Sequence, residues 1–175
     1  MAPGPRAVLV GPMGAGKSTV GRLLAQRWGV GFRDTDADVE AAAGRPISEL
    51  FVDEGEEWFR ERERAAVAAA LAEHDGVLAL GGGAVLDAGT RDALAGFPVV
   101  FLKVGLSDAV KRVGLGHGRP LLLGNVRSRV KALLDERLPV YLSVAEVVVD
   151  TDGRSPDEVA DEVATALTGE EAARD

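Results

Sequence analysis

Apolar residues in this chain fall into short continuous runs separated by longer stretches in which they recur every three or four positions. The runs at 7–10, 77–80, 99–102 and 146–150 are too short for helices and show no polar alternation. That is the pattern of parallel strands covered on both faces. A further strand enters through the turn at 29–33 and ends at Asp34-Thr35-Asp36. Helical periodicity marks 20–25, 87–95, 107–113 and 126–137, and above all 56–74, where Trp58-Phe59, Ala66-Val67 and Ala70-Leu71 share one face. Gly44 stops a short helix beginning near Val39, and Pro46 opens another, so the pair forms a small cap over the sheet edge. Ser107 and Ser155 read as N-caps, Pro156 as a first helical residue, and Leu138-Pro139 as a helix stop. Strands alternating with helices throughout predict an α/β fold, a three-layer, doubly wound, five-stranded parallel sheet flanked by helices.

Composition narrows the classes of function. A chain of 175 residues with 46% apolar content is expected to form a single domain over 1–175, with its core at about 7–167 and an acidic tail at 168–175. A net charge of −8 excludes a general nucleic-acid binder, so any anion site must be locally basic. No cysteine is present, which rules out disulfides, thiolate metal sites and cysteine nucleophiles. No signal-like core precedes the first strand and no apolar run approaches the ~20 residues of a membrane span, so no membrane association and a cytoplasmic location are expected.

The clearest chemistry lies at Gly11-Pro12-Met13-Gly14-Ala15-Gly16-Lys17-Ser18-Thr19, which satisfies the phosphate-loop pattern G-x-x-x-x-G-K-[ST] between a strand and a helix. Its glycines let backbone N–H groups converge on phosphate oxygens, helped by the helix N-terminus. Lys17 would reach the β- and γ-phosphates, and the Ser18 hydroxyl would take a position on Mg²⁺.

Other candidates cluster at strand ends. If the chain stays extended through 34–36, Asp34 and Asp36 point to one side, beside the phosphate loop; the competing reading is that one of them caps the next helix. Arg60, near the start of its helix, opposes the helix dipole and so suggests an anionic partner, or else pairs with Glu56 or Glu63. Gly81-Gly82-Gly83 follows a strand and suggests close approach of a ligand to backbone, against the alternative of a flexible connection. The stretch 113–125, where Gly114, Gly116 and Gly118 precede Arg119-Pro120, has the composition of a mobile lid. His117 and His74 read as solvent-facing, and Arg137 as a helix-end cation.

With these motifs in hand, the chain over about 7–167 resembles the shikimate kinases, small phosphate-loop proteins of the nucleoside-monophosphate-kinase-like group. The resemblance rests on the phosphate loop, Asp34-Thr35-Asp36, Phe59-Arg60 with Glu63, Gly81-Gly82-Gly83, Arg119-Pro120-Leu121-Leu122 and Arg137-x-Pro139-x-Tyr141. It implies phosphorylation of the shikimate 3-hydroxyl by ATP with Mg²⁺, on the way to chorismate and the aromatic amino acids, by a protein expected to be monomeric. It further implies that Gly14, Ala15, Gly16, Lys17, Ser18 and Thr19 hold the ATP phosphates, with Arg112 and Arg154 flanking adenine and Arg119 descending with the lid. Asp36 would hold the shikimate hydroxyls, Arg60 and Arg137 the carboxylate beside Gly81, Gly82 and Gly83, and Asp34 with Ser18 the metal, Asp34 through water. Substrate-binding helices would occupy about 37–64. Lys17, Asp36 and Arg119 are thereby the catalytic candidates. A gluconate-type kinase of the same fold and a non-catalytic nucleotide-binding regulatory module are the alternatives.

Overall fold

A computed structural model describes residues 4–115 and 126–168 of the chain. The strand β1 (Ala7–Val10) lies at the centre of a five-stranded sheet, flanked by β3 (Val77–Ala79) and β4 (Val99–Lys103). The outer strands β2 (Phe32–Asp34) and β5 (Val147–Asp150) complete the all-parallel order β2-β3-β1-β4-β5. This is the doubly wound sheet expected from the alternation of strands and helices.

Side chains alternate across the sheet, and each face has its own helices. Leu9, Val100, Leu102 and Val149 pack with Val20 and Leu24 of α1 (Lys17–Trp28) and with Val163 of α8 (Pro156–Thr168). On the other face Val8, Leu78 and Phe101 meet Val67 of α4 (Glu56–Glu73) and Tyr141 of α7 (Val126–Val144). Fully buried Leu9, Leu24, Leu78 and Leu102 each stabilise the fold by roughly 2 kcal/mol. A smaller cluster of Val39, Leu50 and Phe59 binds α2 (Thr35–Ala43) and α3 (Ile47–Glu54) to the start of α4, forming the cap. The remaining helices, α5 (Ala88–Ala93) and α6 (Leu106–Leu115), follow β3 and β4.

Three local expectations need correction, and one short turn had none. The second strand stops at Asp34, whose carboxylate accepts from the Asp36 N–H at 2.9 Å, so α2 begins at Thr35 and Asp36 stands in its first turn rather than on an extended chain. The segment after the three glycines is a 3₁₀ turn (Ala84–Leu86) before α5 is capped by Asp87. Ser107 is not an N-cap: α6 starts at Leu106, with the Gly105 carbonyl accepting from Ala109 and the Gly105 N–H held by Asp152 at 2.8 Å. Pro139 does not stop α7, which continues to Val144. A proline there removes one backbone donor. Burial of Tyr141 one turn past Arg137 offsets that loss.

Ser155 caps α8 as expected and completes a capping box with Glu158. The expected lid overlaps α6 at 113–115, and the expected tail overlaps α8 at Thr168. Arg119, His117 and the rest of the lid, with residues 169–175, lie outside the described residues. Among the described residues no helix is long and apolar enough to cross a membrane.

Candidate active site

Because β1 is central and the chain leaves it for opposite sides of the sheet, a crevice opens beyond its carboxyl end. The phosphate loop fills that position. Gly14 and Gly16 take left-handed φ values of 86° and 92°, which a side chain would oppose, and Gly16 caps α1 without any side-chain hydrogen bond. The first-turn N–H groups of α1 are therefore available to an anion. Ala15 is buried under the loop, so only its backbone faces a ligand. Lys17 folds back over the loop, its Nζ donating to the carbonyls of Gly11 at 2.8 Å and Pro12 at 3.1 Å.

A cleft of about 500 Å³ runs from this loop to the cap. Lys17, Ser18 and Thr19 line it with Asp34, Asp36, Arg60, Glu63 and Arg137, and with Gly82 and Gly83. Arg137 is near enough to Lys17 to help depress its pKa. The Ser18 hydroxyl donates to Asp34 Oδ2 at 3.2 Å, so Asp34 both caps α2 and faces the phosphate loop. The two alternatives for this acid are thus compatible. Arg60 makes the ion pairs of its second reading and still stands at the cleft. It pairs with Glu63 at 2.7 Å and Glu56 at 3.4 Å while its guanidinium lines the cleft. Arg137 has no carboxylate partner among the described residues, which leaves its charge available to the cleft.

The three glycines have distinct roles. A Cβ on Gly81 would lie 2.5 Å from Asp36 Oδ1 and 2.8 Å from Glu63 Oε2, and one on Gly83 would lie 2.6 Å from Arg60 Nη2. Only hydrogen at these positions lets the acids and the arginine close over the end of β3. Gly81 itself lies beneath the acids, its N–H donating to buried Thr35 Oγ1 at 3.3 Å. The turn is therefore packed rather than a loose connection.

Crowding sets the protonation of the site. Burial raises Asp36 from the ordinary 3.8 to about 6, reinforced by repulsion from Asp34 and Glu63 and only partly opposed by Lys17. Burial also brings Lys17 down to about 8, against the pull of Asp36 and Asp34. Glu63 is pushed upward by burial, with Arg60 acting against the shift.

Arg112 and Arg154 stand outside this cleft. Arg112 braces the phosphate loop from behind, donating to the Gly14 carbonyl at 2.8 Å and to Thr151 Oγ1 at 3.3 Å. Arg154 is held on α8 through Glu162 at 2.5 Å and the Asp150 carbonyl at 2.9 Å. Sequence reasoning gave no site role to Glu63, although its i, i+3 spacing from Arg60 was visible, nor to Ile47 and Phe51, the apolar wall contributed by α3.

The sequence profile of the shikimate kinase family matches residues 13–168. Over 160 residues the chain is 64% identical to the shikimate kinase of Frankia casuarinae, covering 91% of this chain and 71% of that one. It is 63% identical over 163 residues to the shikimate kinase of Salinispora arenicola, covering 93% and 98%. The solved structure of shikimate kinase from Acinetobacter baumannii in complex with shikimate is similar at a TM-score of 0.88 and 34% identity, covering 97% of this chain and 95% of that one. A phosphate loop opening into a cleft walled by carboxylates and arginines, on a sheet shared with these kinases, places the chain in the shikimate kinase family.

Proposed function

We propose that this protein transfers the γ-phosphoryl group of ATP to the 3-hydroxyl of shikimate, giving shikimate 3-phosphate and ADP. The observation that carries the reading is the cleft itself, which brings a phosphate loop, the Asp36 carboxylate and the arginines Arg60 and Arg137 together in one cavity. A small hydroxylated carboxylic acid carries the groups that these side chains can hold. Kinship with shikimate kinases favours shikimate over gluconate, and the intact loop, Lys17 and Asp36 favour catalysis over a regulatory module.

In this mechanism the backbone of Gly14 to Thr19 holds the ATP phosphates, and Lys17 moves from its loop carbonyls to the transferring group. Arg60 and Arg137 hold the carboxylate through planar, bidentate contacts, with Gly82 and Gly83 completing the pocket. Asp36 orients the 3-hydroxyl for in-line attack on the γ-phosphorus and takes its proton; as the new O–P bond forms, the bond from the γ-phosphorus to the β,γ-bridging oxygen breaks and ADP leaves with that electron pair. Arg119 adds charge from the lid, and Arg112 and Arg154 flank adenine. The hydroxyl–carboxylate pair of Ser18 and Asp34 is a set of hard oxygen donors beside the phosphate loop, which suits Mg²⁺ kept largely hydrated. Bound there, Mg²⁺ would neutralise phosphate charge. We read the enzyme as a single-domain cytoplasmic monomer.

Replacing Arg137 by alanine tests the carboxylate assignment. The expected result is a shikimate KM raised roughly 10- to 100-fold with the ATP KM little changed, as removal of one charged hydrogen-bonding partner implies. An unchanged shikimate KM would remove Arg137 from the site.

A further inference from the structure

The single tyrosine of the chain, Tyr141, lies outside the cleft lining yet touches its floor. It is 1% exposed and its ring stacks on Phe101, with centroids 4.9 Å apart and planes at 26°. Its hydroxyl donates to the Gly82 carbonyl at 2.6 Å, across 59 residues of sequence. The peptide joining Gly82 and Gly83 is planar, so holding its carbonyl also fixes the direction of the Gly83 N–H. Both glycines line the cleft.

Arg137 sits one helical turn before Tyr141, on the same face of α7. A Cβ on Gly82 would lie 3.9 Å from Arg137 Nη1. Burial raises the phenol, and the neighbouring Arg137 guanidinium acts in the opposite direction. Pro139 lies between the two residues and cannot donate to the Asp135 carbonyl, so this turn of α7 has one fewer backbone restraint. The phenol supplies a different restraint, from the helix to the glycine turn.

We propose that Tyr141 is a positioning residue that ties the Arg137 guanidinium and the Gly82–Gly83 peptide, two parts of the carboxylate site, to one anchor in the core. The inference rests on the shikimate reading above. It assigns Tyr141 no contact with substrate and no part in proton transfer. Its effect is on where the acceptor's carboxylate is held, and so on shikimate affinity rather than on ATP.

Tyr141→Phe keeps the ring stack and removes only the hydroxyl. We expect the shikimate KM to rise roughly tenfold, as stranding a buried carbonyl implies, with kcat changed less than about threefold and the ATP KM unaltered. Thermal melting verifies that the variant is folded. In a double-mutant cycle with Arg137→Ala, the combined rise in KM should be well below the product of the separate rises, since both act on one anchored unit. An unchanged shikimate KM, equal rises in the KM values of both substrates, or independent effects in the cycle would each overturn the proposal. The wild-type enzyme is assayed alongside; its failure to turn over shikimate would overturn the functional reading instead.

Discussion

Asp36 and Lys17 have opposite perturbations that leave a narrow range in which both carry charge. In the proposed mechanism Asp36 is ionised, which needs a pH above about 6, and Lys17 keeps its charge only below about 8. The free enzyme, followed through kcat/KM at limiting concentrations of both substrates, should give a bell with limbs near these values. Because the two groups interact, the limbs belong to the pair. A flat profile from pH 5 to 9 would contradict this pairing. The same crowding has a consequence for stability. The folded state binds the Asp36 proton more tightly than the unfolded chain does, so between pH 4 and 6 stability falls as pH rises. Each pKa unit corresponds to about 1.4 kcal/mol. Asp36→Asn should therefore be more stable than wild type by about 3 kcal/mol at pH 7, and no more stable below pH 4, while losing turnover; urea denaturation at the two pH values checks this. The phosphate loop was legible because its chemistry is written in adjacent residues. The bracing of Gly14 by Arg112 was not, since that contact spans 98 residues.

The elements matter through how closely their ends meet. The end of β3, the first turn of α2 and the second turn of α4 converge at Gly81, where a Cβ would strike Asp36 and Glu63. These are side-chain ends and can move, so Gly81→Ala should still fold, with a melting temperature within a few degrees of wild type. Displacing Asp36 by about 1 Å should lower kcat/KM by roughly a hundredfold. Wild-type kinetics in this variant would mean the tight turn is unrelated to the site. Strand and helix order could be read from periodicity, but element ends could not. Asp34 turned its strand into a helix by accepting from Asp36, and α7 ran through Pro139 because its next turn carries Tyr141 into the core. In each case a side chain's partner, invisible in the pattern, decided the boundary.

The protein as a unit is acidic, yet the substrates proposed for it are two anions. The net charge of −8 belongs to the whole chain, whereas in the cleft Lys17, Arg60 and Arg137 stand beside Asp34, Asp36 and Glu63, three cations matched by three carboxylates. At contact distances the placement of each cation therefore decides more than the overall field. The sheet order gives the phosphate loop its place at the crevice, and the cap adds Ile47 and Phe51 to the cleft wall. The measurement to make is ADP release from ATP and Mg²⁺ with shikimate, beside matched reactions with gluconate and with no acceptor. Release that depends on shikimate, with product carrying phosphate on the 3-hydroxyl, is the expected result. Release that depends on gluconate alone, or no release while ATP is bound, would contradict the assignment of Asp36, Arg60 and Arg137 to shikimate.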